Sequence, residues 1–195
     1  MDRNNRLSSQ NMSKNKQTDI ALSLGGNMGN VRDEFRKTLV KLKSGGLSSI
    51  CVSSLYSTPA VGCAPGTADF INAVVTGRWS SSLESLLRLC KKIEVSAGRP
   101  EKHIRYSSRP LDIDIILFGD MIRADERITI PHKEAQKRLF VLIPLAEIAG
   151  DWIFPDTGKK ISSFLRRKSS SSLYRTIIRS RFPIGRNRKI HLTKL

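Results

Sequence analysis

The sequence predicts a single domain of mixed helices and strands with at least one antiparallel strand pair, and three observations carry that prediction. Residues 111–118 form a branched, apolar run closed by Gly119 and Asp120, the pattern of a largely buried strand. Residues 50–56 and 69–76 are two more strand-like runs, and the loop between them holds Pro59, Gly62, Pro65 and Gly66, which suits an antiparallel pair. Two amphipathic stretches, 31–43 and 83–95, each start after a capping residue and carry one apolar stripe. At 195 residues and 39% hydrophobic composition, the chain can bury one core of ordinary size.

The net charge of +17 points at first to nucleic acid. Its distribution argues otherwise. Residues 1–18 carry +3 and residues 159–195 carry +12, whereas residues 19–158 hold eighteen bases against sixteen acids. The basicity belongs to the ends, so no specific nucleic-acid recognition is expected, only nonspecific polyanion binding by the basic tail. No run approaches the roughly 18 apolar residues of a membrane span, and the first residues lack the apolar core of a secretory signal. Cys51, Cys63 and Cys90 form no Cys-x-x-Cys pair, and any bridge leaves one over, so reduced thiols and a cytoplasmic location are expected.

In chain order, residues 1–18 are polar with almost no apolar periodicity and read as a disordered basic leader. Residues 19–24 alternate as a first strand. The glycine-rich turn 25–30 follows, and Asn30 caps a helix with Val31, Phe35, Leu39 and Leu42 on one stripe. A strand-to-helix turn of this kind can offer backbone N–H groups to an anion. It lacks the Lys-Ser/Thr of a P-loop and a full Gly-x-Gly-x-x-Gly, so a plain tight turn is the simpler reading. On the 69–76 strand, Phe70 and Asn72 share a face, an aromatic plate beside an amide that both donates and accepts. The run Ser81-Ser82-Leu83-Glu84 reads as a capping box opening the second helix, whose Leu83, Leu86, Leu87, Cys90 and Ile93 are core.

Residues 98–108 form a polar, basic loop leading into the 111–118 strand. Beyond that strand come a short segment at 128–132, a helical stretch with Arg138, Phe140 and Leu142, and a hairpin-like turn at 152–158. The remaining residues, 159–195, read as a weakly ordered basic extension, so the domain proper spans 19–158.

The chemistry concentrates on the 111–118 strand. Asp112 and Asp114 point the same way, about 7 Å apart along the backbone, while Leu111, Ile113, Ile115 and Leu117 face a core. Two carboxylates so placed repel unless a cation sits between them. Magnesium suits the place, because it takes one or two carboxylates and completes its octahedron with water and phosphate oxygens. Arg109 would bring a fork of donors to the same phosphates. On Asp-x-Asp alone, a strand whose outer face carries two solvated acids is equally open.

Taken together, the motif blocks resemble the 6-hydroxymethyl-7,8-dihydropterin pyrophosphokinase family of folate biosynthesis. They are Leu24-Gly25-Gly26-Asn27-Met28-Gly29, Ser54-Leu55-Tyr56-Ser57-Thr58-Pro59, Phe70-Ile71-Asn72-Ala73, Arg109-Pro110-Leu111-Asp112-Ile113-Asp114-Ile115, and Ile130-Pro131-His132 with Arg138-Leu139-Phe140-Val141-Leu142. The resemblance implies an α+β fold, a ferredoxin-like antiparallel sheet with helices packed against it. It also implies transfer of pyrophosphate from the co-substrate ATP to the hydroxymethyl group of the pterin, by a monomer acting on these two small molecules.

By the same resemblance, Asp112 and Asp114 hold two Mg2+ ions that bridge the triphosphate, with Arg99 and Arg109 beside them in catalysis. Phe70 and Phe140 sandwich the pterin, Asn72 binds its edge, and Thr58, Pro59, Ala60 and Val61 complete that subsite. Glu94, Arg99, Arg109, Ile113, Arg127, Thr129, His132 and Arg138 fall where the family contacts the nucleotide. The 98–108 loop, with Tyr106, is expected to fold inward over bound ligands, and residues 163–195 are expected to be dispensable. The chain departs from the family pattern at Gly26, Lys91, Ser107, Ser108 and Lys133. A nucleotidyltransferase of the polymerase-β type pairs a glycine turn with Asp-x-Asp about a dozen residues later, whereas Gly26 and Asp112 are 86 positions apart. An RNA-recognition module needs aromatics on its central strands where this chain has Phe70 and two acids.

Overall fold

A computed structural model describes residues 17–60, 64–99, 108–166 and 177–180. Residues 100–107 of the expected 98–108 lid, with Tyr106, Val61 of the pterin subsite, and the leader up to residue 16 lie outside the described residues. In chain order the elements are β1 (Thr18–Gly26), α1 (Val31–Ser44), β2 (Ser48–Val52), β3 (Leu55–Thr58), β4 (Phe70–Trp79) and α2 (Leu83–Ser96). They continue with β5 (Asp112–Phe118), β6 (Arg123–Ala124), β7 (Thr129–Ile130), α3 (Leu139–Ala149), β8 (Ile153–Phe154), β9 (Lys159–Lys160), α4 (Ile161–Arg166) and β10 (Ile178–Ser180).

The main sheet runs β10-β3-β4-β1-β5, with β2 on β4 beyond the end of β3, and all its pairs are antiparallel. Taking β2 and β3 as one interrupted strand, this is the expected α+β ferredoxin-like order, with β1 central. Apolar residues on both faces of β1 explain that position. Leu22 and Leu24 enter a core shared with α1 and α2, and Ala21 enters a second core with α3, α4 and Phe154. Among the described residues no helix is long and apolar enough to cross a membrane.

Several local details differ from the sequence expectation. The 50–56 strand breaks at Ser53 and Ser54. Ser53 exchanges main-chain and side-chain hydrogen bonds with Val74, and Ser54 gives its amide and hydroxyl to Glu147 at 2.9 and 2.8 Å. The α2 cap is Ser82 with Ser85, not a box closed by Glu84. Ser82 Oγ accepts from the Ser85 amide at 3.2 Å, and Glu84 turns away to pair with Arg123. On β5, Leu117 packs in the second core rather than with Leu111, Ile113 and Ile115, because the register against β1 shifts between Ala21 and Leu22. One extra residue there reverses the alternation of every side chain beyond it. Of the extension expected to be weakly ordered, residues 167–176 and 181–195 lie outside the described residues, while the described part contributes β9, α4 and β10; β1 takes Thr18 from the expected leader.

Candidate active site

A row of paired residues crosses four strands at one end of the sheet: Asp112 on β5, Gly25 on β1, Asn72 on β4 and Tyr56 on β3. Paired positions share a face, so this row forms a floor, with Asp114 two residues further along β5 opposite Ser23. Gly25 leaves a gap in it. A Cβ there would stand 3.4 Å from Asn72 Oδ1 and 4.0 Å from Asp112 Cβ, so ligand atoms can reach the β1 main chain between an amide and a carboxylate. Above the floor is a cavity of about 370 Å³ walled by Phe70 and Phe140, with Arg109 and Arg138 at its polar side. Each guanidinium lies over one aromatic plate, Arg109 at 5.4 Å from the Phe70 centroid and Arg138 at 5.7 Å from that of Phe140. Asn72 is buried and aimed by neighbours. Its Nδ2 donates to Thr58 Oγ1 at 2.9 Å, which fixes the amide orientation.

The two acids differ electrostatically. Burial pushes Asp112 up, but Arg109, 3.3 Å away, and Arg99, in direct contact, outweigh it and hold the carboxyl below its usual range. Asp114 is raised, first by burial and then by Asp112 beside it, and among the described residues it has no ion-pair partner. A buried acid repelled by its neighbour fits a site for a divalent cation, and ionised carboxylates are the donors magnesium takes. His132, half-buried near Asp114, is lowered chiefly by burial. Its Nδ1 accepts the Glu134 amide at 3.3 Å, which leaves the proton on Nε2.

The glycine-rich turn serves a purpose the anion-site reading did not contain. Asn27 Nδ2 donates to Ala68 O at 3.1 Å and Ser108 Oγ at 3.2 Å, its Oδ1 accepts the Arg109 amide at 2.8 Å, and its own amide donates to Arg109 O at 2.9 Å. Asn27 therefore clamps the chain just before the two acids. Gly26 permits this close approach, since a Cβ there would meet Pro110 O at 2.5 Å. The departure at Gly26 is thus matched by a close pass of the Pro110 backbone.

Of the residues singled out from sequence, Thr58, Pro59, Phe70, Asn72, Arg109, Asp112, Asp114, Arg138 and Phe140 meet around this one cavity. Others stand behind or beside it. Arg99 is 8% exposed and lies between Glu94 and Asp112. Glu94 is buried and raised, mainly by burial, and its Oε1 accepts the Ile113 amide at 2.9 Å. The Ile113 side chain is core, so only its main chain faces this group. Ala60 and Thr129 are half-buried away from the cavity wall, and Arg127 is exposed on the β6–β7 turn. Lys91 pairs with Glu94 at 2.8 Å, and Lys133 is exposed. Sequence reasoning assigned no role here to Gly25, Lys137 or Ile177, all of which line the cavity.

The family described as 7,8-dihydro-6-hydroxymethylpterin-pyrophosphokinase matches residues 21–150. The 2-amino-4-hydroxy-6-hydroxymethyldihydropteridine pyrophosphokinase of Synechocystis sp. is 38% identical over 154 residues, covering 78% of this chain and 77% of that protein. A mitochondrial folate synthesis bifunctional protein of Arabidopsis thaliana is 37% identical over 139 residues, 71% of this chain but 25% of that protein. Among solved structures, wild-type Plasmodium falciparum HPPK-DHPS with pteroate aligns with a TM-score of 0.62 at 14% identity, covering 84% of this chain and 48% of that one. The chain thus spans about half the length of that solved chain, which supports the fold alone. With residues 21–150 matched and more than three-quarters of the Synechocystis protein covered, the chain belongs to the 7,8-dihydro-6-hydroxymethylpterin-pyrophosphokinase family.

Proposed function

We propose that the family's reaction runs in this chain on the Asp112–Asp114 floor, with magnesium held by those two carboxylates and the pterin held between Phe70 and Phe140. The chain is an ATP-dependent pyrophosphokinase that transfers pyrophosphate to 6-hydroxymethyl-7,8-dihydropterin in folate synthesis. The observation that carries the assignment of residues is the juxtaposition of two aromatic plates, a fixed amide and two acids around one cavity of about 370 Å³.

The pterin hydroxyl oxygen forms a bond to the β-phosphorus of ATP as the bond from that phosphorus to the bridging oxygen of AMP breaks, and the hydroxyl proton is released to solvent. Such a transfer needs positioning and charge neutralisation more than a covalent catalyst. Held by Asp112 and Asp114, magnesium would supply charge neutralisation for the triphosphate. Phe70 and Phe140 stack the flat electron-rich ring, while Asn72 and the Thr58–Pro59 main chain read its edge. Arg109 and Arg138 meet the phosphate oxygens, and Arg99 supports Asp112 from its buried place between that acid and Glu94. Arg109 is the link between subsites, because it touches both the Phe70 ring and Asp112. His132, held neutral by burial, offers an N–H to a phosphate oxygen without adding fixed charge. Glu94, Ile113, Arg127 and Thr129 belong to the nucleotide side in this reading. The three cysteines without a Cys-x-x-Cys pair support a cytoplasmic enzyme with reduced thiols.

The test is AMP release from ATP in a coupled assay. Turnover that requires both hydroxymethyldihydropterin and magnesium is expected. AMP release independent of the pterin, or none under any condition, overturns the assignment.

A further inference from the structure

The short strand β10, inside the extension set apart by its charge, ends one edge of the main sheet. Its pairing with β3 sets Ile178 opposite Ser57, Arg179 opposite Tyr56 and Ser180 opposite Leu55. Ile177, one residue earlier, therefore lies alongside Thr58, and it lines the cavity with Phe70, Asn72 and Phe140.

Two contacts hold the strand, one on each face of the sheet. Toward α3, Arg179 pairs with Glu147 and donates from Nε to Ser54 Oγ at 3.0 Å. Toward α1, Arg32 donates to Ser180 Oγ at 3.1 Å. Glu147 also accepts from the Ser54 amide at 2.9 Å and from the Tyr56 hydroxyl at 3.0 Å. The latch therefore binds β10, the break between β2 and β3, and α3 at one carboxylate. Ile177 immediately precedes β10 and lies two residues from Arg179, so continuing the strand's alternation puts both on the same side. A strand so latched cannot leave without removing Ile177 from the cavity wall.

We infer that β10 is a built-in wall of the heterocycle subsite and that Ile177 is a specificity-determining residue for the flat aromatic substrate, positioned by the Arg179–Glu147 latch. The inference rests on the proposed assignment of this cavity to the pterin. Its side chain narrows the cavity at the Thr58 edge, so the subsite excludes rings carrying added bulk on that edge. Ile177 sits at the β10 edge of this cavity, whereas Asp112 and Asp114 sit on β5 at the opposite edge of the sheet, so nucleotide binding should depend on it little.

The test uses the full chain with Ile177→Ala, Ile177→Trp and Arg179→Ala, titrated separately with hydroxymethyldihydropterin and with a nonhydrolysable ATP analogue plus magnesium. Far-ultraviolet circular dichroism and a thermal melt check that each variant is folded. Ile177→Ala removes a half-buried apolar contact and should weaken pterin binding about five- to tenfold. Ile177→Trp fills the cavity and should weaken it more, and both should leave the ATP analogue within twofold of the parent. Arg179→Ala should weaken pterin binding in the same direction, and Arg179→Lys should recover part of the loss, which a general loss of fold would not. Pterin affinities within twofold of the parent in both Ile177 variants, or equal losses for both ligands, overturn the inference. A parent protein that binds no pterin overturns the cavity assignment instead, so the two failures are distinguishable.

Discussion

Replacing Gly26 with alanine should damage this enzyme by a backbone route, although Gly26 touches no substrate in the arrangement described above. The added Cβ would lie 2.5 Å from Pro110 O and 3.2 Å from Val31 Cγ1. Ordinary contact begins near 3.4 Å, so the Pro110 backbone must withdraw by roughly an ångström, because a carbonyl in a clamped segment cannot rotate away. The Asn27–Arg109 bonds, now 2.8 and 2.9 Å, would then stretch past useful length. Two hydrogen bonds at about 1 kcal/mol each and overpacking of about 1–3 kcal/mol set the scale, partly relieved by relaxation. A loss of about 2–3 kcal/mol in urea unfolding is expected. Because Arg109 moves with Pro110, kcat/KM should fall by more than tenfold even at temperatures where the variant is fully folded. Unchanged stability and unchanged kcat/KM in Gly26→Ala would refute the claim that this close pass positions the arginine.

The two acids should respond oppositely to neutralisation. Asp114→Asn should abolish turnover while raising the thermal midpoint of the ligand-free protein, since Asp114 is raised by burial and by Asp112 and so costs stability at neutral pH. Asp112→Asn should abolish turnover while lowering stability by about 2 kcal/mol, because it weakens the charge-assisted contacts to Arg99 and Arg109; differential scanning calorimetry reads both. Phe140→Ala should remove a stacking face worth about 1–1.5 kcal/mol and weaken pterin binding far more than nucleotide binding in separate titrations. Burial pushes Glu147 up, but hydrogen bonds from Ser54 and Tyr56, helped by Arg179, hold it below its usual range. Its contribution is therefore present above the unfolded carboxylate value of about 4.3 and is lost as pH falls through the lower folded value. Hydrogen exchange at residues 178–180 should speed up in that acidic window, and Glu147→Gln should remove most of the pH dependence.

Much of this fold was legible because local pattern and tertiary outcome agree. The first helix begins at Asn30 as its spacing predicts, and its stripe of Val31, Phe35, Leu39 and Leu42 is buried. The misses share a cause, which is that the deciding partner lies far away in sequence. Nothing near Ser53 announces that its hydroxyl will accept the Val74 amide, or that Glu147 will break the strand at Ser54. Glu84 fits a capping box by spacing, yet Arg123, 39 positions on, claims it. A three-residue edge strand such as β10 carries too little alternation to be read at all, and its basic surroundings argue for solvent. The candidate site was read as a motif rather than as a place. Asp112 and Asp114 advertise themselves by spacing, but the gathering of Phe70 and Phe140 was legible only through family resemblance. The wall supplied by Ile177 could be found only from the sheet order.

The bare floor at Gly25 bears on how this enzyme could acquire tolerance to an inhibitor. A compound that rests on that stretch of β1 touches peptide groups, whose position is set by pairing with β4 on one side and β5 on the other. Mutation cannot remove a main-chain contact. It can only insert a side chain, and any Cβ at this position arrives 3.4 Å from Asn72 Oδ1, in the floor of the cavity proposed to hold the pterin. On the proposed placement of the pterin, a substitution that evicts the drug here also evicts the substrate, so this stretch of β1 offers no route to heritable tolerance.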